Sequence, residues 1–385
     1  MKMDYQRRIK ELQGYLINEH IDAAFIMISS DLQYLTGVQR PPHNPTDDNK
    51  HGDELYGAFI TQDGWPLFVV PRMGASKYVG SQIRGMPWAD NLVVIMDGDD
   101  PAEIATSLMD RLGHPKKMGV CQRLWAKSMF RLQKASPGLE WADISSFVAK
   151  MRAVKDASEI EIMMKAGELT DQVFGSVVHQ MRVGMTEYDL IREVAHQVTI
   201  HGGNGLSFHT GVIIRGEGKP RRFMADGMTA NTPLLPETVV SFDFGLIYQG
   251  YVSDFGRTVF CGDPPAEWVL CHELVMAAQK AGIEAMQGGR ITAAELNRIS
   301  RDIIEKEGYG QYFTHRLGHG IGIDVHESPF LFERDHTVLQ KGMCFTIEPS
   351  IVIPDRMGVR VEDVVMVGDS CGIPFSNYTK NLIVI

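Results

Sequence analysis

The stretch SFDFGLIYQGYVSDFGRTVF, residues 241–260, decides how this chain is read. It reads as strand, turn, strand, with the turn centred between Tyr248 and Gln249. On that register Asp243 and Asp254 are equidistant from the turn and face each other. Directly opposed residues share a sheet face with Cβ atoms about 4.5–5.5 Å apart, and like charges placed there are destabilising. An opposed pair of aspartates within apolar strands therefore calls for a compensating cation.

The construction recurs at MCFTIEPSIVIPDRMGVRVEDVVMV, residues 343–367. Pro354 to Gly358 give a turn signal, and a hairpin centred on Asp355 sets Glu348 opposite Glu362. Each acid alone has a plainer reading. Strand-end aspartates are commonly turn formers, and the glutamates can pair with Arg360. Four acids in two facing pairs exceed those readings, because burial and mutual repulsion both oppose ionisation. Two divalent cations balance four carboxylates, as in two-metal hydrolytic sites. A neutral ligand is expected beside them. HRLGHGIGIDVHESP (315–329) offers His315, His319 and His326 among glycines that let the backbone turn tightly.

Working outward, the 385 residues suggest two domains. Residues 1–152 read as a small α/β domain. Its helices fall at 5–20 and 101–112, and its strands at 21–28, 57–62, 66–71, 91–96 and 118–121. The polar stretch Gln39–Glu54 is a long loop, and its His43 and His51 are candidates to close over the site, from the same chain or a partner subunit. Residues 153–385 read as α+β, with helices on one face of a largely antiparallel sheet. Asp156 and Glu159 form a capping box ahead of a helix to about Val178, and further helices fit 184–200, 265–287 and 291–307. Strands fit 209–215, 238–244, 251–260, 343–353, 359–367 and 381–385.

The net charge of −10 gives no electrostatic footprint for nucleic acid or an anionic membrane. No apolar run approaches the roughly 18 residues of a membrane span. The five cysteines are odd in number and lack C-x-x-C spacing, which argues for reduced thiols and a cytoplasmic protein.

These motifs resemble the metallopeptidase family that contains methionine aminopeptidase, aminopeptidase P, prolidase and creatinase, the pita-bread fold. Its ligand series Asp, Asp, His, Glu, Glu is matched in order by Asp243, Asp254, His319, Glu348 and Glu362. DLQYLTGV (31–38) resembles part of the N-terminal domain found in the aminopeptidase P, prolidase and creatinase branch, which methionine aminopeptidases lack. The resemblance implies a dinuclear hydrolase with Mn²⁺, Co²⁺ or Zn²⁺, in which a metal-bound hydroxide attacks an amide C–N bond of a peptide or small amide. Asp254 and Glu362 would bridge the metals, Asp243 would bind one, and His319 with Glu348 the other. Glu348 would shuttle the proton, His315 and His326 would contact substrate, and Arg360 would orient the neighbouring carboxylate and border the substrate. A homodimer is the family expectation.

One position departs from the pattern. The resemblance calls for a further histidine upstream of the first ligand. Counting forward from Phe208 puts Arg222 there, and counting back from Asp243 puts Asp226. The segment 215–227 instead carries Arg215, Lys219, Arg221 and Arg222, so Arg222 is a candidate to hold a substrate carboxylate. Two alternatives stay open: the same fold and metals acting on a specialised non-peptide small molecule, as an ectoine hydrolase or, less closely, a lyase does, and a non-catalytic binding protein of the same fold.

Overall fold

The computed structural model describes residues 3–40, 51–75 and 79–385, which form two compact units, Met1–Arg152 and Ala153–Ile385. His43 lies outside the described residues. His51 is described, and its Nε2 meets the Asp99 carbonyl within the first unit.

In the first unit, α1 (Tyr5–Asn18) begins where the Asp4 carboxylate accepts the Arg7 N–H and buries Ile9, Leu12 and Leu16, the helical spacing of an amphipathic face. The sheet is β1 (Ala23–Met27), β2 (Gly57–Thr61), β3 (Leu67–Pro71), β4 (Leu92–Ile95), β5 (Lys117–Val120) and β6 (Glu140–Asp143), in the order β4-β3-β2-β1-β5-β6. β1 is central and buried along its whole length, and Phe25 stacks on Phe59. Helical segments α2 (Ser30–Thr36), the single turns α3 (Arg72–Gly74) and α4 (Gly80–Gln82), and α5 (Pro101–Arg111) connect the strands. The sequence reading assigns nothing to residues 122–152. The structure forms α6 (Ala126–Ala135), β6 and α7 (Ser145–Ala153) there, elements too short to carry much periodic signal.

The second unit opens on α8 (Ala157–Gln180), and the Asp156–Glu159 capping box is present. It continues with α9 (Glu187–Ile200), β7 (Gly211–Arg215), β8 (Thr238–Phe244), β9 (Ile247–Tyr248), β10 (Tyr251–Val252), β11 (Phe255–Cys261), α10 (Ala266–Ala285) and α11 (Ala293–Lys306). The remaining strands are β12 (Gly318–Gly320), β13 (Glu327–Leu331), β14 (Cys344–Ile347), β15 (Ser350–Ile353), β16 (Met357–Arg360), β17 (Asp363–Val367), β18 (Gly372–Pro374) and β19 (Ile383–Val384).

The expected single sheet is in fact divided into two main sheets and two two-stranded ribbons, β9-β10 and β15-β16. A four-stranded sheet, β19-β11-β8-β7, packs on α8 and α9. A five-stranded sheet, β13-β12-β14-β17-β18, packs on α10 and α11. They meet where Gly256 and Glu362 exchange backbone hydrogen bonds, N–H to O=C at 3.3 and 2.9 Å. Alternation sets the faces. Along β8, Val240, Phe242 and Phe244 are buried in the helix-side core, where Phe174 meets Phe242 edge-on, so Ser241 and Asp243 point the other way.

Candidate active site

The two hairpins differ in register from each other and, in one case, from the expectation. Around Asp355 the pairing is as read: Ser350 opposes Arg360 and Ile347 opposes Asp363, which sets Glu348 opposite Glu362. The first hairpin is shifted by two residues. Tyr248 pairs with Tyr251, so the turn is Gln249–Gly250, with φ of 48° and 82°. Both turn residues are left-handed, which matches the strand twist of a two-residue hairpin. Asp243 consequently opposes Gly256, and Asp254 lies diagonal to it. An even shift leaves side chains on the same face, whereas a shift of one would have turned Asp254 to the other side.

Three of the five expected ligands sit where strands break. Asp254 falls between β10 and β11, Glu348 between β14 and β15, and Glu362 between β16 and β17. At the first break the Ser253 hydroxyl, rather than a backbone carbonyl, takes the Leu246 N–H. At the second, Pro349 has no N–H to offer a neighbour. His319 is placed by β12. Its N–H donates to the Thr346 hydroxyl, which in turn donates to Glu348 Oε1. Gly318 permits this approach, since a Cβ there would lie 1.9 Å from the Thr346 carbonyl oxygen. Gly256 plays the same part on the other sheet, where a Cβ would lie 2.7 Å from Glu362 Oε2.

The five residues therefore converge on one pocket of about 830 Å³. One oxygen from each of Asp243, Asp254 and Glu362 lies within 4.8 Å of the others. His319 Nδ1 meets the Gly320 carbonyl at 3.1 Å, and a carbonyl can only accept, so Nδ1 carries the proton. Its Nε2 lone pair then faces Asp254 Oδ2 at 3.6 Å and Glu348 Oε1 at 3.4 Å. These separations are too long for hydrogen bonds. A cation with ligand distances of about 2.0–2.2 Å fits between such atoms.

Electrostatics point the same way. Burial, then the neighbouring acids, raises the carboxyls of Asp254 and Glu362 well above the usual range. Burial pushes Glu348 up to about 7, with Arg360 pulling the other way. Asp254 Oδ1 and Glu362 Oε2 are buried without a hydrogen-bond partner among the described residues. Two orphaned oxygens on adjacent carboxylates, with an imidazole lone pair turned toward the same cluster, suit divalent metal binding.

The other expected residues separate clearly. Arg360 reaches the site, donates to Asp243 Oδ2, and lies 3.7 Å from Glu362 and 3.9 Å from Glu348. Burial opposes its charge, but the acids around it outweigh that and raise its pKa. It is thus held by carboxylates rather than presented to a substrate. His315 borders the pocket, yet both ring nitrogens are engaged: Nδ1–H donates to the Arg316 carbonyl and Nε2 accepts from the Ser350 hydroxyl. Burial takes its pKa down to about 4. His326 is exposed and set edge-on to His319, with ring centroids 4.2 Å apart.

Arg222 is not brought to the site. Its segment folds back on itself, with Phe223 bridging Ala230 and the Asn231 N–H donating to the Arg222 carbonyl. Arg222 is exposed and lines a separate cleft. Asp226 caps its own turn through Met228 and Thr229. Arg221 pairs with the buried Glu187 at 3.3 Å. The pocket wall that sequence reasoning missed consists of Phe208, Val325, Phe330, Phe332 and Arg316. Arg316 stands beside His315 in the quoted motif, but sequence alone does not show which cation stays unpaired.

The family model described as Metallopeptidase family M24 matches residues 161–369, and that of the Creatinase/Prolidase N-terminal domain matches residues 8–154. The chain belongs to the M24 metallopeptidase family. It is 32% identical over 378 residues to an Xaa-Pro dipeptidase of Lactobacillus delbrueckii subsp. lactis, covering 97% of this chain and 98% of that one. It is likewise 32% identical over 381 residues to an Xaa-Pro dipeptidase of Lactobacillus helveticus, covering 98% of each. A recombinant prolidase from Thermococcus sibiricus superposes with a TM-score of 0.87 at 29% identity, covering 100% of both chains. This M24 protein is a metal-dependent hydrolase, with a creatinase-type N-terminal domain ahead of a C-terminal pita-bread domain. Among its described residues no helix is long and apolar enough to cross a membrane.

Proposed function

We propose that this M24 member is an Xaa-Pro peptidase of the dipeptidase kind, acting on short peptides with two divalent metals. The observation that carries the reading is the convergence of Asp243, Asp254, His319, Glu348 and Glu362 around two orphaned carboxylate oxygens. Asp254 and Glu362, the deepest pair, would be shared by both metals. Asp243 would serve one, and His319 with Glu348 the other. When bound, the metals would polarise the scissile carbonyl and activate water. Glu348, held by the Thr346 hydroxyl, would take the proton from water and return it to the leaving amine. His326, exposed to the pocket, would hydrogen-bond the substrate, while His315 would hold the wall through Ser350. Arg360 would keep Asp243 aimed.

An oxygen-rich set with one nitrogen suits Mn²⁺ or Co²⁺ at least as well as Zn²⁺. The reading also includes a homodimer and a cytoplasmic location, the latter supported by five free cysteines. A second reading, a C–N hydrolase of a non-peptide small molecule, is favoured by one observation. The segment bearing Arg222 and Asp226 contributes no histidine to the pocket, and Phe208 stands among its lining residues.

The test is hydrolysis of Ala-Pro, Gly-Pro, Ala-Pro-Ala, ectoine and creatine by metal-stripped protein, with and without Mn²⁺, Co²⁺ or Zn²⁺. Metal-dependent cleavage of the proline peptides is expected. Silence on them with two metals bound would transfer the assignment to the reading of a specialised C–N hydrolase or lyase.

A further inference from the structure

The pocket is lined by two arginines, and they are in opposite situations. Arg360 is surrounded by Asp243, Glu348 and Glu362. Arg316 makes no ion pair and no side-chain hydrogen bond among the described residues. Its guanidinium rests on the face of Phe330, 4.7 Å from the ring centroid, which holds the group in place without using any N–H. Its backbone is fixed on both sides, since the His315 imidazole holds its carbonyl and the Leu317 N–H donates to the Asn297 side chain. Phe330 and Phe332 supply apolar surface beside it. An anchored, half-buried guanidinium with its donors free, in a cleft that otherwise presents acids and imidazoles, is a receptor for an anion.

The surroundings narrow the chemistry. The pocket shares His315, Arg316 and Phe332 with a second open groove of about 790 Å³ along α11, so Arg316 stands at the junction of the two. The other arginines of that groove are committed: Arg301 donates to the Phe313 and His315 carbonyls, and Arg298 pairs with Asp302 and Glu305. Among the described residues lining the two clefts, Arg316 is the arginine left to meet a negative group on a molecule whose scissile bond lies over the carboxylates. We propose that Arg316 is a specificity residue that receives a substrate carboxylate, either the C-terminal carboxylate of a dipeptide or an acidic side chain. This rests on the peptidase reading and names the group it selects, a role the sequence had offered to Arg222.

The test compares metal-loaded wild type with Arg316→Gln and Arg316→Lys on three substrates: Ala-Pro, Ala-Pro-amide and Glu-Pro-amide. Loss of a charge-assisted contact should raise KM for the carboxylate-bearing substrate by about 10- to 100-fold with kcat little changed, and Arg316→Lys should recover part of it. An effect confined to Ala-Pro identifies the C-terminal carboxylate, and one confined to Glu-Pro-amide identifies the side chain. Equal KM values in wild type and Arg316→Gln on all three substrates would overturn the proposal. Calorimetric binding of glutarate to the same two proteins separates this from the activity itself. If no peptide is cleaved, the peptidase reading fails, yet weaker glutarate binding by Arg316→Gln still upholds the anion site and unchanged binding refutes it.

Discussion

The two carboxylate hairpins perform similar tasks by different constructions. The second, around Asp355, opposes Glu348 and Glu362 directly, and both side chains are buried. The first sets Asp243 and Asp254 on a diagonal, one at the rim against Arg360 and the other at the floor. The site is therefore not two equal pairs. Asp254 and Glu362, one from each hairpin, form a deep centre with an orphaned oxygen each, while Asp243, Glu348 and His319 stand around it.

That distinction can be broken most directly by substitution. Asp254→Asn and Glu362→Gln should each take bound metal from two per chain to none and abolish hydrolysis, whereas Asp243→Asn should retain one metal. Metal analysis of the purified variants decides it, and equal losses from all three would restore the picture of two equivalent pairs. The seam between the hairpins comes next. Gly256→Ala places a Cβ against Glu362 and should weaken metal binding by about 10- to 100-fold, the scale of damage to groups that orient ligands. An unchanged affinity would mean that Glu362 has room to move.

Acid should expose the same asymmetry more gently. Raised carboxyl pKa values mean that the metal-free site holds protons the metal must displace, so affinity should fall as pH drops through the region near 7 where Glu348 titrates. About tenfold per pH unit is expected for each proton displaced. A titration of metal affinity between pH 8 and 5.5 measures the slope, and a flat profile would refute the protonated resting site. The smallest effect belongs to the turns. Gln249 and Asp355 both adopt left-handed backbone, φ 48° and 57°. Replacing either with glycine should raise stability by no more than about 1 kcal/mol and leave metal content alone. Thermal melting with metal analysis checks both, and loss of metal in one alone would show that its turn sets the register.

What could be read from the chain divides along similar lines. Glu348 opposite Glu362 was legible because Pro354–Gly358 marks its own centre. The first turn was misplaced by one residue, which shifts the pairing by two, because Gln249–Gly250 is a weaker signal than an Asn-Gly turn, and the error was harmless to the face because the shift in pairing was even. Helix caps such as Asp156–Glu159 are local and came through. The split of one sheet into two was hidden, since it depends on Gly256 meeting Glu362 across more than a hundred residues. Arg222 was misjudged for a related reason: counting along a loop assumes an extended path, and this one doubles back at Phe223 and Ala230.

The backbone pair of Gly256 and Glu362 has a consequence for how the protein fails on heating. Catalytic groups commonly ride on loops that loosen before the rest of a protein unfolds. Here the Glu362 amide is donated to the Gly256 carbonyl at 2.9 Å, and the Arg257 guanidinium braces the Glu362 carbonyl at 2.7 Å from within the core. In deuterium exchange that amide belongs with the slowest in its unit, with or without metal. Inactivation by heat and loss of the fold should then trace one curve, with no milder temperature at which the enzyme is merely switched off.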